Sequence, residues 1–134
     1  MEYFDYGAES LDTGFDVKEF LERSQQHQEQ RLEQQLERIK EQLEERDRIF
    51  EENRSELESK LDWYVDRLQD LNQRRFSGDK EEEEQLKTKI EGLYSELRQE
   101  RRSAWRDKQE LEKERRELVR ELDELSERLF EDLF

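Results

Sequence analysis

The amino-acid sequence predicts an all-α fold: a long antiparallel coiled-coil helical hairpin that follows a short non-helical N-terminal tail. Apolar residues recur at steps of three and four in two long runs, and the 134 residues contain no proline. The runs flank one short break, residues 76–79, and pair as mirror images about it. Leu68 faces Leu86 and Leu36 faces Leu118, so the two numbers of each pair add up to 154. This shared register favours a hairpin over one uninterrupted helix in a parallel dimer, which would place Gly78 in mid-helix at a cost of about 1 kcal/mol.

Residues 1–15 form an acidic tail without a single basic residue. Glycine, serine and threonine interrupt any helical pattern there, and so short a segment cannot bury enough surface to fold alone. Its aromatic and apolar side chains are Tyr3, Phe4, Tyr6, Leu11 and Phe15. Three alternatives stay open: a frayed terminus, a docking motif that becomes ordered on a partner, or a segment that packs back on its own hairpin.

The first helix is predicted over residues 16–76. Asp16 is placed to cap its N-terminus, Glu19 stands three residues later as in a capping box, and Phe15 and Phe20 occupy the flanking positions of a hydrophobic staple. Apolar residues then follow the heptad spacing from Leu32 onwards. Residues 24–31 lack an apolar position altogether, so that stretch is expected to be weakly held.

Residues 76–79 are predicted to turn the chain, and residues 80–134 to form the second helix. Gly78 tolerates the backbone that ends helices, Asp79 can cap the next helix, and Glu82 stands three residues later. Four consecutive glutamates, residues 81–84, suit the positive end of the helix dipole.

The mirror register also predicts particular contacts between the helices. It places bulky Phe50 opposite small Ala104, and Arg46 near Asp107 and Lys108. Size and charge are compatible in both cases, which supports this register along the rows of facing apolar positions, here called the seam.

A second set of large apolar residues lies beside the seam. A two-helix hairpin has one internal seam, so this flank would leave apolar side chains in water unless something covers it. We expect self-association into a multi-helix bundle, with a docking stripe for a different protein as the alternative. The self-association candidates are Ile49, Trp63, Tyr94, Trp105, Val119 and Phe130.

The two ends of the predicted hairpin differ in character. At the end where the termini meet, Phe20 and Leu21 fall level with an apolar cluster that forms either a packed plug or a docking surface for a partner. Together with the tail, the docking candidates there are Leu129, Leu133 and Phe134. The opposite tip is basic and apolar and is a further contact candidate, formed by Arg74, Arg75, Phe76 and Gly78.

Composition excludes several classes of protein. The chain is 49% charged with a net charge of -15 and a mean hydropathy of -1.47, so nucleic-acid binding and membrane insertion are not expected. No signal-peptide pattern is present, which predicts a cytoplasmic protein. The absence of cysteine excludes thiolate metal sites and thiol nucleophiles.

No catalytic, metal-binding or cofactor-binding pattern is present either. His27 is the lone histidine and lies in a glutamine-rich polar stretch, where it is expected to be an exposed surface residue. Glycine-rich phosphate loops and zinc-protease spacings are missing. The sequence therefore predicts a protein that is not an enzyme and needs no cofactor.

These observations predict an adaptor, scaffold or assembly element that acts through its apolar flank and its acidic-aromatic tail. The alternative is a small coiled-coil chaperone or holdase that presents a terminal aromatic cluster to client proteins. Such a hairpin resembles in outline those of prefoldin and of flagellar export chaperones, although residues 76–79 leave no room for the β-hairpins of prefoldin subunits. An acidic decoy that mimics nucleic acid is a third reading, and the 25 interspersed basic residues argue against it.

Overall fold

The computed structural model describes residues 16–74 and 80–133, without the side chains of residues 132 and 133. The chain forms two long helices, α1 at Val17–Gln73 and α2 at Lys80–Leu133. They pack against each other in antiparallel orientation as a helical hairpin, and the described residues contain no strand. The tail of residues 1–15 and the turn predicted at residues 76–79 lie outside the described residues.

The N-terminus of α1 is capped as the sequence predicts. The side chain of Asp16 accepts a hydrogen bond of 3.0 Å from the backbone N–H of Lys18, and its carbonyl accepts one from the N–H of Phe20. An aspartate at this position satisfies a backbone donor that the helix itself leaves without a partner. Glu19 accepts a hydrogen bond from Arg23 one turn later, at 2.7 Å, so its carboxylate serves an ion pair within the helix.

The helices divide into two compact units. Unit 2, Lys40–Lys113, has a small core in which Leu61, Leu93 and Leu97 are buried. The residues packed against this core are Leu57, Tyr64 and Ile90. This cluster contains three of the pairs that the mirror register predicts, because 57 and 97, 61 and 93, and 64 and 90 each add up to 154.

Polar residues interrupt the seam of unit 2. Arg46 donates a hydrogen bond of 3.2 Å to Glu100, and Asn53 donates to the same carboxylate oxygen at 3.1 Å. The Nε atom of Arg46 also lies 2.8 Å from Asp107, but its N–H does not point at the carboxylate, so this contact is an ion pair without a hydrogen bond. Next to this cluster Ala104 is buried, with 5% of its surface exposed.

The described part of unit 1 contains residues 16–39 together with residues 114–133. Ile39 and Leu125 are buried, and the other apolar seam residues are only half-buried. These half-buried residues are Leu32, Leu36, Leu118, Leu122 and Leu129. A thin seam of this kind keeps a pair of helices together while most of each helix surface faces solvent.

Candidate interaction surfaces

Large aromatic side chains of unit 2 face solvent. Trp63 is 62% exposed, Trp105 is 64% exposed and Tyr94 is 48% exposed. Ile49, which the sequence placed in the same flank, is half-buried. Exposed tryptophans are unusual on a protein surface that no partner covers. Their burial is favourable because it removes a large apolar area from water.

These side chains lie on two opposite sides of unit 2 and do not form the single flank suggested by the sequence. Asp47 follows the seam position of Arg46, and Lys108 follows the seam position of Asp107. A 2.6 Å ion pair joins Asp47 and Lys108 across the two helices. Residues that follow seam positions on either helix therefore share one side. Tyr94 and Trp105 follow the seam residues Leu93 and Ala104 and belong to this side.

Trp63 belongs to the other side because it precedes the seam residue Tyr64. Arg67 and Glu82 lie there as well, joined across the helices by a 3.2 Å ion pair. An open groove lined by Trp63, Arg67, Glu82 and Lys89 marks this side. Ile49 likewise precedes a seam residue and faces this way, so Ile49 and Trp105 are not neighbours although their numbers add up to 154.

The Trp63 side is built around two touching aromatic rings. Trp63 and Tyr64 meet edge to face, with ring centroids 5.0 Å apart and an interplanar angle of 86°. Lys89 reaches over from α2, with its Nζ atom 5.3 Å from the centre of the Tyr64 ring and 3.5 Å from the tyrosine hydroxyl. The cation–π contact with Lys89 and the edge-to-face contact with Trp63 both fix the orientation of the Tyr64 ring. The exposed indole of Trp63 therefore packs against an ordered ring.

The Trp105 side combines aromatic rings with positive charge. Tyr94 and Trp105 are eleven residues apart, a rotation of only about 20° around α2 at roughly 100° per residue. Three arginines lie between them in sequence, at positions 98, 101 and 102, and all three are exposed. We call Tyr94, Arg98, Arg101, Arg102 and Trp105 the arginine–tryptophan face. The sequence prediction missed these arginines, although the run of bases from residue 98 to residue 108 signals them.

Unit 1 leaves apolar side chains exposed near the chain termini. Phe20 is 56% exposed, Leu21 is 52% exposed and Phe130 is 64% exposed, so none of these three side chains is buried. Val119 is 42% exposed, and Leu129 is half-buried in the seam. The unit has only two helices, so side chains that point away from the seam keep much of their surface in contact with solvent.

Several predicted candidates cannot be placed on these surfaces. At the hairpin tip, Arg74 is exposed, whereas Arg75, Phe76 and Gly78 lie outside the described residues. The docking candidates outside the described chain or its described side chains are Tyr3, Phe4, Tyr6, Leu11, Phe15, Leu133 and Phe134.

The described residues contain no group of three or more histidine, cysteine, aspartate or glutamate side chains arranged to hold a metal ion. His27 is exposed and lines a shallow groove along α1 with Phe20 and Arg23. Within the same part of the chain, neither helix has a stretch apolar enough to cross a membrane.

The helix surfaces carry many ion pairs within one helix. Arg48 donates hydrogen bonds to Glu45 and Glu52, on the turns before and after it. The hydrogen bond from Arg48 lowers the pKa of Glu45 below its ordinary value, and the pairing raises the pKa of the Arg48 guanidinium. Exposed pairs at this spacing support a helix modestly and carry no chemistry of their own.

Comparison with known proteins gives a family match. No curated protein and no solved structure is detectably similar to the chain. A family of unknown function, DUF8104, matches residues 1–133, nearly the whole sequence. The chain therefore belongs to the DUF8104 family.

Proposed function

We propose that this chain is a non-enzymatic cytoplasmic interaction protein, an assembly element or scaffold that associates with copies of itself through the Trp105 side of unit 2. The observation that carries this proposal is the exposure of Trp105 at 64% beside a half-exposed Tyr94. A second copy would remove both rings from water, and burial at about 25 cal/mol per Å² of apolar area favours association.

The architecture supports an assembly role over catalysis. The seam of each unit is only one layer of side chains thick, so the hairpin offers long exposed helix surfaces and little enclosed volume. Proteins that work through such surfaces bind partners by helix packing, in which apolar side chains of one helix pack between those of another.

Light scattering of the full chain tests the proposal. We expect a mass of two or more copies that falls to one copy in Trp105→Glu, because a charge placed in an apolar contact must be desolvated. The matched control is Ser103→Glu, which adds the same charge at an exposed position about 160° around α2 from Trp105. A wild-type chain that is monomeric at every concentration, or a mass that both substitutions change equally, contradicts self-association through this side.

A second candidate function is that of a holdase, a chaperone that binds unfolded clients without refolding them. The exposure of Phe20, Leu21 and Phe130 in unit 1 favours it, because exposed apolar side chains can bind unfolded segments. Insulin aggregated by dithiothreitol is a suitable client, since the chain contains no cysteine for the reductant to act on. We expect a holdase to suppress this aggregation and to lose the effect in Phe130→Glu but not in Ser103→Glu; no suppression by the wild-type chain contradicts this function.

A further inference from the structure

The arginine–tryptophan face is a basic region in a strongly acidic protein. Residues 98–108 contain five basic and two acidic residues, whereas the whole chain carries a net charge of -15. Both acids of this segment, Glu100 and Asp107, are bound by Arg46 of α1. The positive charge of the segment is therefore not neutralised by its own acids.

Helix geometry separates the arginines of this face from the acids of the same segment. Arg98 stands one turn after Tyr94, and Arg101 one turn before Trp105, so cations and rings share one side of α2. Residues 96, 100 and 107, which are acidic, are rotated by about 120° or more from Tyr94 at roughly 100° per residue. The result is a row of guanidinium groups and aromatic rings that is not interrupted by negative charge.

The acids of α1 that stand opposite this face in the register are already bound. Glu52 and Glu56, whose numbers add up to 154 with positions 102 and 98, pair with Arg48 at 2.7 Å and with Lys60 at 3.4 Å. Within the described residues, none of the arginines at positions 98, 101 and 102 forms an ion pair. Guanidinium groups bind carboxylates through paired hydrogen bonds and stack on aromatic rings, so this face fits a ligand that carries carboxylates and aromatic side chains together.

We propose that the arginine–tryptophan face of one copy binds the acidic-aromatic tail, residues 1–15, of a second copy. The tail has the complementary chemistry, with four acids, no base and four aromatic rings. Its length also fits. The face rises about 17 Å along α2 from Tyr94 to Trp105, and an extended segment of about five residues, such as Tyr6 to Leu11, spans the same length.

This inference rests on the proposed self-association, which brings the tail of one copy to the face of another. In a two-fold symmetric dimer each copy gives one tail and receives one, so both contacts form together. Nucleic acid and anionic membranes carry negative charge without the tail's combination of carboxylates and aromatic side chains, so they match this face less completely.

Charge exchange between the two segments tests the proposal in the full chain. The face variant carries Arg98→Glu, Arg101→Glu and Arg102→Glu, and the tail variant carries Asp5→Lys, Glu9→Lys and Asp12→Lys. Each variant alone places like charges together, so we expect the dimer dissociation constant from sedimentation to rise at least tenfold. One chain that carries all six substitutions restores opposite charges and is expected to return within about threefold of wild type.

A matched control reverses three exposed basic residues of α2 elsewhere, with Lys113→Glu, Arg120→Glu and Arg128→Glu. It changes net charge as much as the face variant and is expected to leave the dissociation constant within about twofold. Circular dichroism of every variant verifies that the helices are intact. If the variant with all six substitutions does not regain association, the tail is not the segment that binds this face.

Disulfide trapping provides a second readout, because the chain has no cysteine of its own. Chains with Ala8→Cys are mixed with chains carrying Gln109→Cys, next to the face, or Ser103→Cys, on the far side of α2. We expect the disulfide between copies to form at least fivefold faster with position 109. Equal rates overturn the proposal.

The outcomes separate this inference from the proposed function. A dimer that Trp105→Glu dissociates but the tail variant leaves unchanged overturns the inference alone. A wild-type monomer, including one that folds its tail onto its own face, overturns both. Binding of a duplex oligonucleotide or of phosphatidylserine vesicles that is lost in the face variant, with no effect of the tail variant on dimer formation, replaces the tail with a polyanion.

Discussion

Arg46 donates a hydrogen bond to Glu100 across the seam of unit 2, at a position where the heptad pattern is otherwise apolar. The side chain of Arg46 is 14% exposed and that of Glu100 is 20% exposed. Charges this deeply placed contribute to stability only while each keeps its partner, since a single unpaired charge must remain desolvated.

Removing one partner of this pair is therefore expected to destabilise the chain. Arg46→Leu leaves Glu100 without its cation and is expected to lower the free energy of unfolding by about 1–3 kcal/mol. The double substitution Arg46→Leu with Glu100→Leu replaces the pair by an apolar contact and is expected to recover most of that loss. Urea denaturation followed by circular dichroism measures both; a double variant less stable than the single one contradicts this account.

Gly92 is expected to be a position where the chain can be stabilised. It lies within α2 and is exposed, and apart from the neighbouring residues of its own helix no atom lies within 4 Å of the place that a Cβ would occupy. Gly92→Ala removes backbone freedom from the unfolded chain without a clash and is expected to raise the free energy of unfolding by about 0.5–1 kcal/mol. Thermal denaturation tests this, with Ser103→Ala as a second exposed position in α2; a lower midpoint for Gly92→Ala shows that the backbone there is constrained.

The cap of α1 is expected to act locally. Asp16→Ala removes the acceptor for the N–H of Lys18 and is expected to cost about 0.5–2 kcal/mol in the first turn. Amide hydrogen exchange should therefore accelerate at Lys18 while Leu61 keeps its protection. Asp16→Asn retains an acceptor and is the control; equal acceleration at Lys18 and Leu61 would mean that the cap stabilises the entire fold.

The pair of Glu45 and Arg48 predicts a pH dependence with a defined sign. The ordinary pKa of this glutamate is 4.5, and the hydrogen bond from Arg48 lowers it in the folded chain. A lowered folded pKa means that the contribution of the pair to stability is fully present above pH 4.5 and is lost as pH falls through the folded pKa. Carboxyl titration by NMR should place the Glu45 midpoint below that value, and Arg48→Gln should move it back; an unchanged midpoint rules out Arg48 as the cause.

Features that depend on local residue order were predictable from the sequence. The hairpin follows from heptad spacing on either side of one break, and the cap follows from the preference of aspartate for the position before a helix. The core pairs of unit 2, such as Leu61 with Leu93, also follow, because seam residues of equal height face each other in an antiparallel pair.

Two features could not be obtained this way. Arg46 forms a hydrogen bond with Glu100 in addition to its ion pair with Asp107, the acid that the register predicts, because a long flexible side chain can reach acids two turns apart. The division of the aromatic residues into two sides depends on whether a residue precedes or follows its seam position, as Trp63 and Trp105 do respectively. A rule based only on the sum of two residue numbers does not contain that information.

The placement of Trp63 and Trp105 on opposite sides of unit 2 determines the valency of the molecule. If copies join only through the Trp105 side, growth stops at a closed pair. If the Trp63 side associates as well, every added copy keeps one unoccupied side that can bind the next copy. The product is then an open polymer whose length increases with concentration.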